Sequence, residues 1–182
     1  MGKGRALVVY YSRSGHTREV ADRIGKALGA DLGEIGEPSG RAGALGYVRS
    51  ALEAIFGVSS EIATPRPDPS GYDLVVVGTP VWYASVSTPV RTYLWVERER
   101  LGRLAFFLTH GGMGAERVFG QMRALTGRRP EERLAVRVRE IESGAYREKA
   151  DDFARSLLAG HRRGGRARAP RVGARPGGGR AR

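Results

Sequence analysis

The stretch YYSRSGHTREVADRIG, residues 10–25, joins the end of an apolar run to the start of a helical pattern, with hydroxyls, a glycine and a histidine between them. Backward from it, Arg5 to Tyr11 reads as a short continuous apolar run, the mark of a strand buried on both faces. Forward from it, Val20, Ile24, Ala27 and Leu28 recur at helical spacing. A strand end that leads into a helix start is a natural seat for an anion, because the first helical N–H groups lack partners.

The same alternation repeats along the chain. Leu32 to Ile35 is a weak second strand, and Leu45, Val48, Leu52, Ile55 and Phe56 mark a second helix. Pro65, Pro67 and Pro69 form a loop before Leu74 to Val77, the clearest buried strand. Pro89 opens a third helix that carries Val90, Tyr93 and Leu94 inward. Leu104 to Leu108 is a fourth strand, followed by a helix marked by Val118, Phe119, Met122 and Leu125. Leu134, Val136 and Val138 alternate with Ala135, Arg137 and Arg139, which suits a sheet edge. Tyr146, Ala150, Phe153 and Leu157 supply the last helix, with Ser143 as its expected cap. Five strands alternating with five helices imply an α/β fold, a doubly wound five-stranded parallel sheet of order 2-1-3-4-5. Its ligand crevice opens beyond strands one, three and four.

At 182 residues, with 41% apolar residues, the chain suits one domain with a proper core. No apolar run approaches a membrane span, and the N-terminus lacks the apolar segment of a signal peptide. The absence of cysteine excludes disulfides and thiolate chemistry and fits a reducing cytoplasm, the expected location. The net charge of +12 is unevenly spread. Residues 161–182 hold eight arginines and no acid, which leaves 23 basic against 19 acidic residues elsewhere, a net of +4. We therefore expect a domain over 1–160 and a disordered Arg/Gly-rich tail over 161–182. Lacking interleaved aromatics, that tail reads as a solvated extension in preference to a nucleic-acid contact.

Three loops carry the chemistry. The first, Ser12-Arg13-Ser14-Gly15-His16-Thr17, has no Gly-Lys-Ser/Thr for a triphosphate, and Gly2 and Gly4 precede the strand where a dinucleotide fingerprint would follow it. A monophosphate cradle fits: Gly15 bends the backbone toward the anion, and Ser12, Ser14 and Thr17 offer hydroxyls. Such residues also build plain turns, so this loop alone leaves both readings open. The second loop is Gly78-Thr79-Pro80-Val81-Trp82-Tyr83-Ala84-Ser85. Gly78 and Pro80 are expected to break the strand, leaving the aromatics at the crevice mouth where a flat ring could lie. The third, Thr109-His110-Gly111-Gly112-Met113-Gly114, offers backbone N–H groups to a polar ring edge, or is a flexible turn.

With these loops in this order, residues 5–159 resemble the flavodoxin-like FMN proteins. The resemblance implies FMN as cofactor, its phosphate held by Ser12, Arg13, Ser14, Gly15, His16 and Thr17. It implies that Thr79, Pro80, Val81, Trp82 and Tyr83, with His110, Gly111, Gly112 and Gly114, flank the isoalloxazine ring. A response-regulator receiver shares the fold but needs acidic residues where this chain has Tyr10-Tyr11-Ser12.

Two departures from the family shape the expected function: the body is mildly basic where dedicated electron-carrying flavodoxins are usually strongly acidic, and its second and third loops differ from theirs. No glycine follows Trp82, and no aromatic stands between Thr109 and Glu116, so a peptide flip that stabilises half-reduced flavin is not expected. The preferred reading is a flavoprotein oxidoreductase of NAD(P)H dehydrogenase or quinone reductase type, passing electrons from a nicotinamide cofactor to a quinone-like acceptor or a protein redox partner. The alternatives are a non-enzymatic electron-transfer carrier and an FMN-free interaction module working through the tail. No catalytic side chain and no metal ligand is required, although His110 is a candidate donor near the ring.

Overall fold

The computed structural model describes residues 4–36 and 67–166, with the backbone alone for 161–166. The expected helix from Leu45 to Phe56, Pro65 and the tail beyond Arg166 lie outside the described residues.

In chain order the elements are β1 (Ala6–Tyr10), α1 (His16–Leu28), β2 (Asp31–Glu34), a 3-10 turn (Pro69–Gly71), β3 (Leu74–Trp82) and β4 (Ser85–Val86). There follow α2 (Thr88–Glu97), β5 (Arg103–His110), α3 (Ala115–Thr126), β6 (Arg133–Arg137), α4 (Val138–Glu142) and α5 (Tyr146–Arg166). The sheet order is β2-β1-β3-β5-β6, all parallel, with β4 pairing antiparallel to the end of β3. This is the expected 2-1-3-4-5 winding with one short strand added.

Strand alternation divides the core between the two faces. Leu7, Val9, Val75, Val77, Phe106 and Leu108 pack against Val90 and Leu94 of α2 and Val118 and Met122 of α3. Val8, Tyr10, Val76, Phe107 and Val136 pack on the other face against Val20 and Ile24 of α1 and Ala150, Phe153 and Leu157 of α5. Both faces are covered, so the inner strands read as unbroken apolar runs. Each large side chain so buried contributes about 1.5–3 kcal/mol. β6, with Leu134 and Val136 inward and Arg133 and Arg137 exposed, is the edge strand that its alternation predicts.

Several boundaries differ from the sequence reading. Gly78 and Pro80 do not break β3, which continues to Trp82. A Cβ at Gly78 would lie 2.0 Å from Phe107 Cζ, so this glycine makes room for a buried ring. Tyr11 N donates to Gly78 O, so Gly78 and, two residues on, Pro80 turn their backbone groups toward β1. β1 has ended at Tyr10 by that point, and Pro80 meets no strand that needs its missing N–H. β5 likewise runs on through Thr109 and His110, which end a strand where a loop was expected. Ser143 does not cap the last helix. It ends α4, its Oγ donating to Glu140 O, and Val138, expected in the edge strand, opens that same short helix. The last helix continues to Arg166, six residues past the expected domain end at Gly160. Among the described residues no helix is long and apolar enough to cross a membrane.

Candidate functional site

The first loop turns at Gly15, the N-cap of α1, with φ +92° and ψ −23°. A side chain in that conformation is strained, while the space a Cβ would enter is empty to 4 Å. Glu19 N donates to Gly15 O at 2.9 Å, and Arg18 N donates to Ser12 Oγ at 3.2 Å. The N–H groups of His16 and Thr17 have no partner among the described residues. Ser12 accepts through its oxygen, so its hydroxyl proton is still free to point outward. Ser14 Oγ lies 3.1 Å from His16 Nδ1. Thr17 is buried instead of facing the cradle: its Oγ1 meets Thr109 Oγ1 at 2.8 Å, tying the first loop to the end of β5. Arg13 lies over the Trp82 ring at 5.9 Å.

The second loop is a β-hairpin. Trp82 pairs with Ser85 and Val81 with Val86, with Tyr83 (φ 49°) and Ala84 (φ 53°) at the turn. Two consecutive positive φ values give the twist a two-residue hairpin requires. Asn-Gly, the usual signal for this turn, is absent here, which is why the hairpin is hidden in the sequence. Thr79 is fully buried; its Oγ1 contacts Ser87 Oγ at 3.0 Å and accepts from Ser87 N at 3.2 Å, closing the base of the hairpin. Pro80 and Val81 are half-buried. Gln121 Oε1 of α3 accepts from Val86 N at 2.9 Å. Trp82 meets Tyr11 edge-on at 5.7 Å between centroids, and Tyr83 stands fully exposed at the tip.

The third loop begins on His110, only 7% exposed, and proceeds through Gly111 and Gly112 to Met113, which is 87% exposed. Gly114 caps α3 at φ +88°, and a Cβ there would lie 2.9 Å from both Cα and Cβ of Ala84. This glycine thus serves its own backbone and the close seat of the hairpin. His110 Nδ1 is buried and has no hydrogen-bond partner among the described residues. Burial first, and then the charge of Arg137, hold its imidazole below the ordinary pKa and favour the neutral ring.

All three loops therefore meet at the carboxyl edge of β1, β3 and β5. Of the predicted residues, Ser12, Ser14, Gly15 and His16 border the α1 terminus, Trp82 and Tyr83 form the hairpin tip, and Gly111 to Gly114 cover α3. Thr17 and Thr79 act as buried ties between these parts. Sequence reasoning missed Ala84, Ser87, Thr109 and Gln121 as partners, since each acts through a residue distant in the chain or by backbone shape. Among the described residues no group of three or more His, Asp or Glu could hold a metal ion.

A family model for flavodoxin matches residues 5–131. Among solved structures, a flavoprotein in complex with FMN from Lactobacillus acidophilus NCFM is 24% identical, with TM-score 0.54, covering 78% of this chain and 99% of that one. A flavoprotein described as putative from Bacteroides eggerthii is 22% identical, with TM-score 0.57 and coverage of 83% and 98%. A WrbA-like flavodoxin from Agrobacterium tumefaciens is 14% identical, with TM-score 0.52 and coverage of 87% and 99%. At these identities the likeness shows the fold. No curated protein matches the sequence. The family model spans more than two thirds of the residues, including all three loops, and on that ground the chain belongs to the flavodoxin family.

Proposed function

We propose that the chain is an FMN-dependent oxidoreductase that takes electrons from a nicotinamide cofactor and passes them to a quinone-like acceptor. The observation that carries the cofactor is the turn at Gly15, with the His16 and Thr17 N–H groups open and the Ser12 hydroxyl proton unused. These donors suit a phosphate dianion, and the α1 dipole and the Arg13 cation add to the attraction. Family membership and the FMN-bound relative support the same group.

In this reading Ser12, Ser14, Gly15, His16 and the Thr17 N–H bind the phosphate, and the Thr17 side chain holds that loop at its distance from the third by its bond to Thr109. The hairpin from Thr79 to Tyr83 and the loop from His110 to Gly114 flank the ring. The flavin, when bound, supplies hydride and electron transfer, and the chain supplies seat and orientation. His110, neutral and buried, can hold a proton near the ring edge on one nitrogen while accepting on the other.

Paired electrons are favoured over a carrier's single ones by the hairpin. Its turn residues are Tyr83 and Ala84, with Ala84 packed against Gly114, so a peptide flip there would displace both loops. Titrating the full chain with FMN while following flavin fluorescence tests the cofactor: saturation at one equivalent is expected, and an unchanged signal would remove the reading. Oxidation of either reduced nicotinamide with a quinone present, faster than oxidation without it, is expected of the holoprotein.

A further inference from the structure

On the far side of the third loop from the hairpin, an open cleft of about 680 Å³ lies between the start of α3 and the β6–α4 junction. Its walls include His110, Arg117, Arg137, Glu116, Glu140 and Lys149. Both carboxylates are already engaged. Glu116 pairs with Arg133 at 3.0 Å, and Glu140 accepts from Arg137 N at 2.8 Å and from Lys149 Nζ at 2.6 Å. The guanidinium groups of Arg117 and Arg137 have no carboxylate partner among the described residues. The cleft is therefore left with two guanidinium groups outside any close ion pair, while Lys149 is spent on Glu140. His110, more than nine-tenths buried, forms part of its wall with Nδ1 unpartnered.

Guanidinium groups bind carboxylate and phosphate through two parallel bonds, which suits a cleft with two of them. We propose that this cleft is a second ligand site, distinct from the first-loop cradle, that takes the phosphate or carboxylate of a co-substrate between Arg117 and Arg137 with His110 in its wall. Gly112 and Gly114 line both this cleft and the loop proposed to flank the flavin, so an anion held here would anchor its molecule beside the ring. Outside the cleft, Arg18, Arg23 and Arg103 are each paired with a carboxylate.

The test follows the imidazole signals of His110 by NMR in the full chain, assigned with H110Q, during titration with inorganic phosphate and separately with succinate. Each titration is run without FMN and with FMN at saturation. A saturable shift of the His110 signals that persists with FMN bound is expected. It should weaken about tenfold or more in R137Q, the loss expected for a charge-assisted contact, and stay unchanged in the α5 control R155Q. A response to phosphate alone assigns the site to a phosphate-bearing ligand, and a response to succinate alone to a carboxylate. Silence toward both anions, equal affinity in R137Q, or loss of the shift once FMN fills the first loop would each overturn the proposal. If the chain takes no FMN, the FMN-free titration with R137Q against S12A still reads this cleft, so the two readings fail separately.

Discussion

Replacing Gly78 by alanine tests whether the centre of the sheet is shaped by one ring. The added Cβ would lie 2.0, 2.2 and 2.7 Å from three atoms of the Phe107 ring. Ordinary contact begins near 3.4 Å, so the ring or the strand must move by more than an ångström. Phe107 is fully buried, packed with Val76 and Val136, and β3 is held by β1 on one side and β5 on the other. Neither can yield freely, and the overlap belongs at the upper end of overpacking, about 3 kcal/mol. For a chain of this size that corresponds to a fall in Tm of about 6–12 °C. Phe107→Leu alone leaves a partial void and destabilises by less than about 3 kcal/mol. In the double variant the void accepts the methyl group, so the loss should be smaller than the sum of the two by about 1–3 kcal/mol. Thermal unfolding followed by circular dichroism on the four proteins measures this. A Gly78→Ala Tm within 2 °C of the parent (a cost of less than about 1 kcal/mol), or strict additivity in the pair, would refute the reasoning.

Three further outcomes are expected. Ser12→Ala removes the donor at the cradle and should weaken FMN binding about ten- to a hundredfold in a fluorescence titration; Gly15→Val, which forces a β-branched residue to φ +92°, should abolish it. Because burial lowers the His110 pKa, the unfolded chain takes up its proton first. Stability from this group is therefore intact above about pH 6.5 and declines as pH falls from there toward the lower folded-state value. Urea midpoints between pH 7.5 and 5.5 should fall less in His110→Gln than in the parent, and parallel slopes would discard this assignment. Anaerobic dithionite titration of the holoprotein should show little one-electron-reduced flavin, because the Tyr83–Ala84 turn packed on Gly114 opposes a flip. A strong blue neutral radical band would return the chain to the carrier class.

Side-chain patterning along the chain was enough to specify the winding of the sheet. Leu7 and Val9 against Val8 and Tyr10 state a strand covered on both faces, and Leu134 and Val136 between arginines state an edge. Such patterns are local, and solvent exclusion acts on them alike wherever the strand lies. The turn chemistry around Gly15 was equally legible, since the need for a positive φ belongs to one residue. What Gly78 and Pro80 do was decided only by the tertiary structure. As isolated residues they read as breakers, but Phe107 requires the first, and the early end of β1 tolerates the second. The Tyr83–Ala84 hairpin, against the preferences of its own turn residues, is held by Gly114 and by Gln121 of α3. Thr17 became a tie to Thr109, and His110 became a buried wall facing Arg137, through neighbours that the fold alone supplies. Contacts of that range depend on the positions of several elements at once, and no stretch of sequence read by itself contains them.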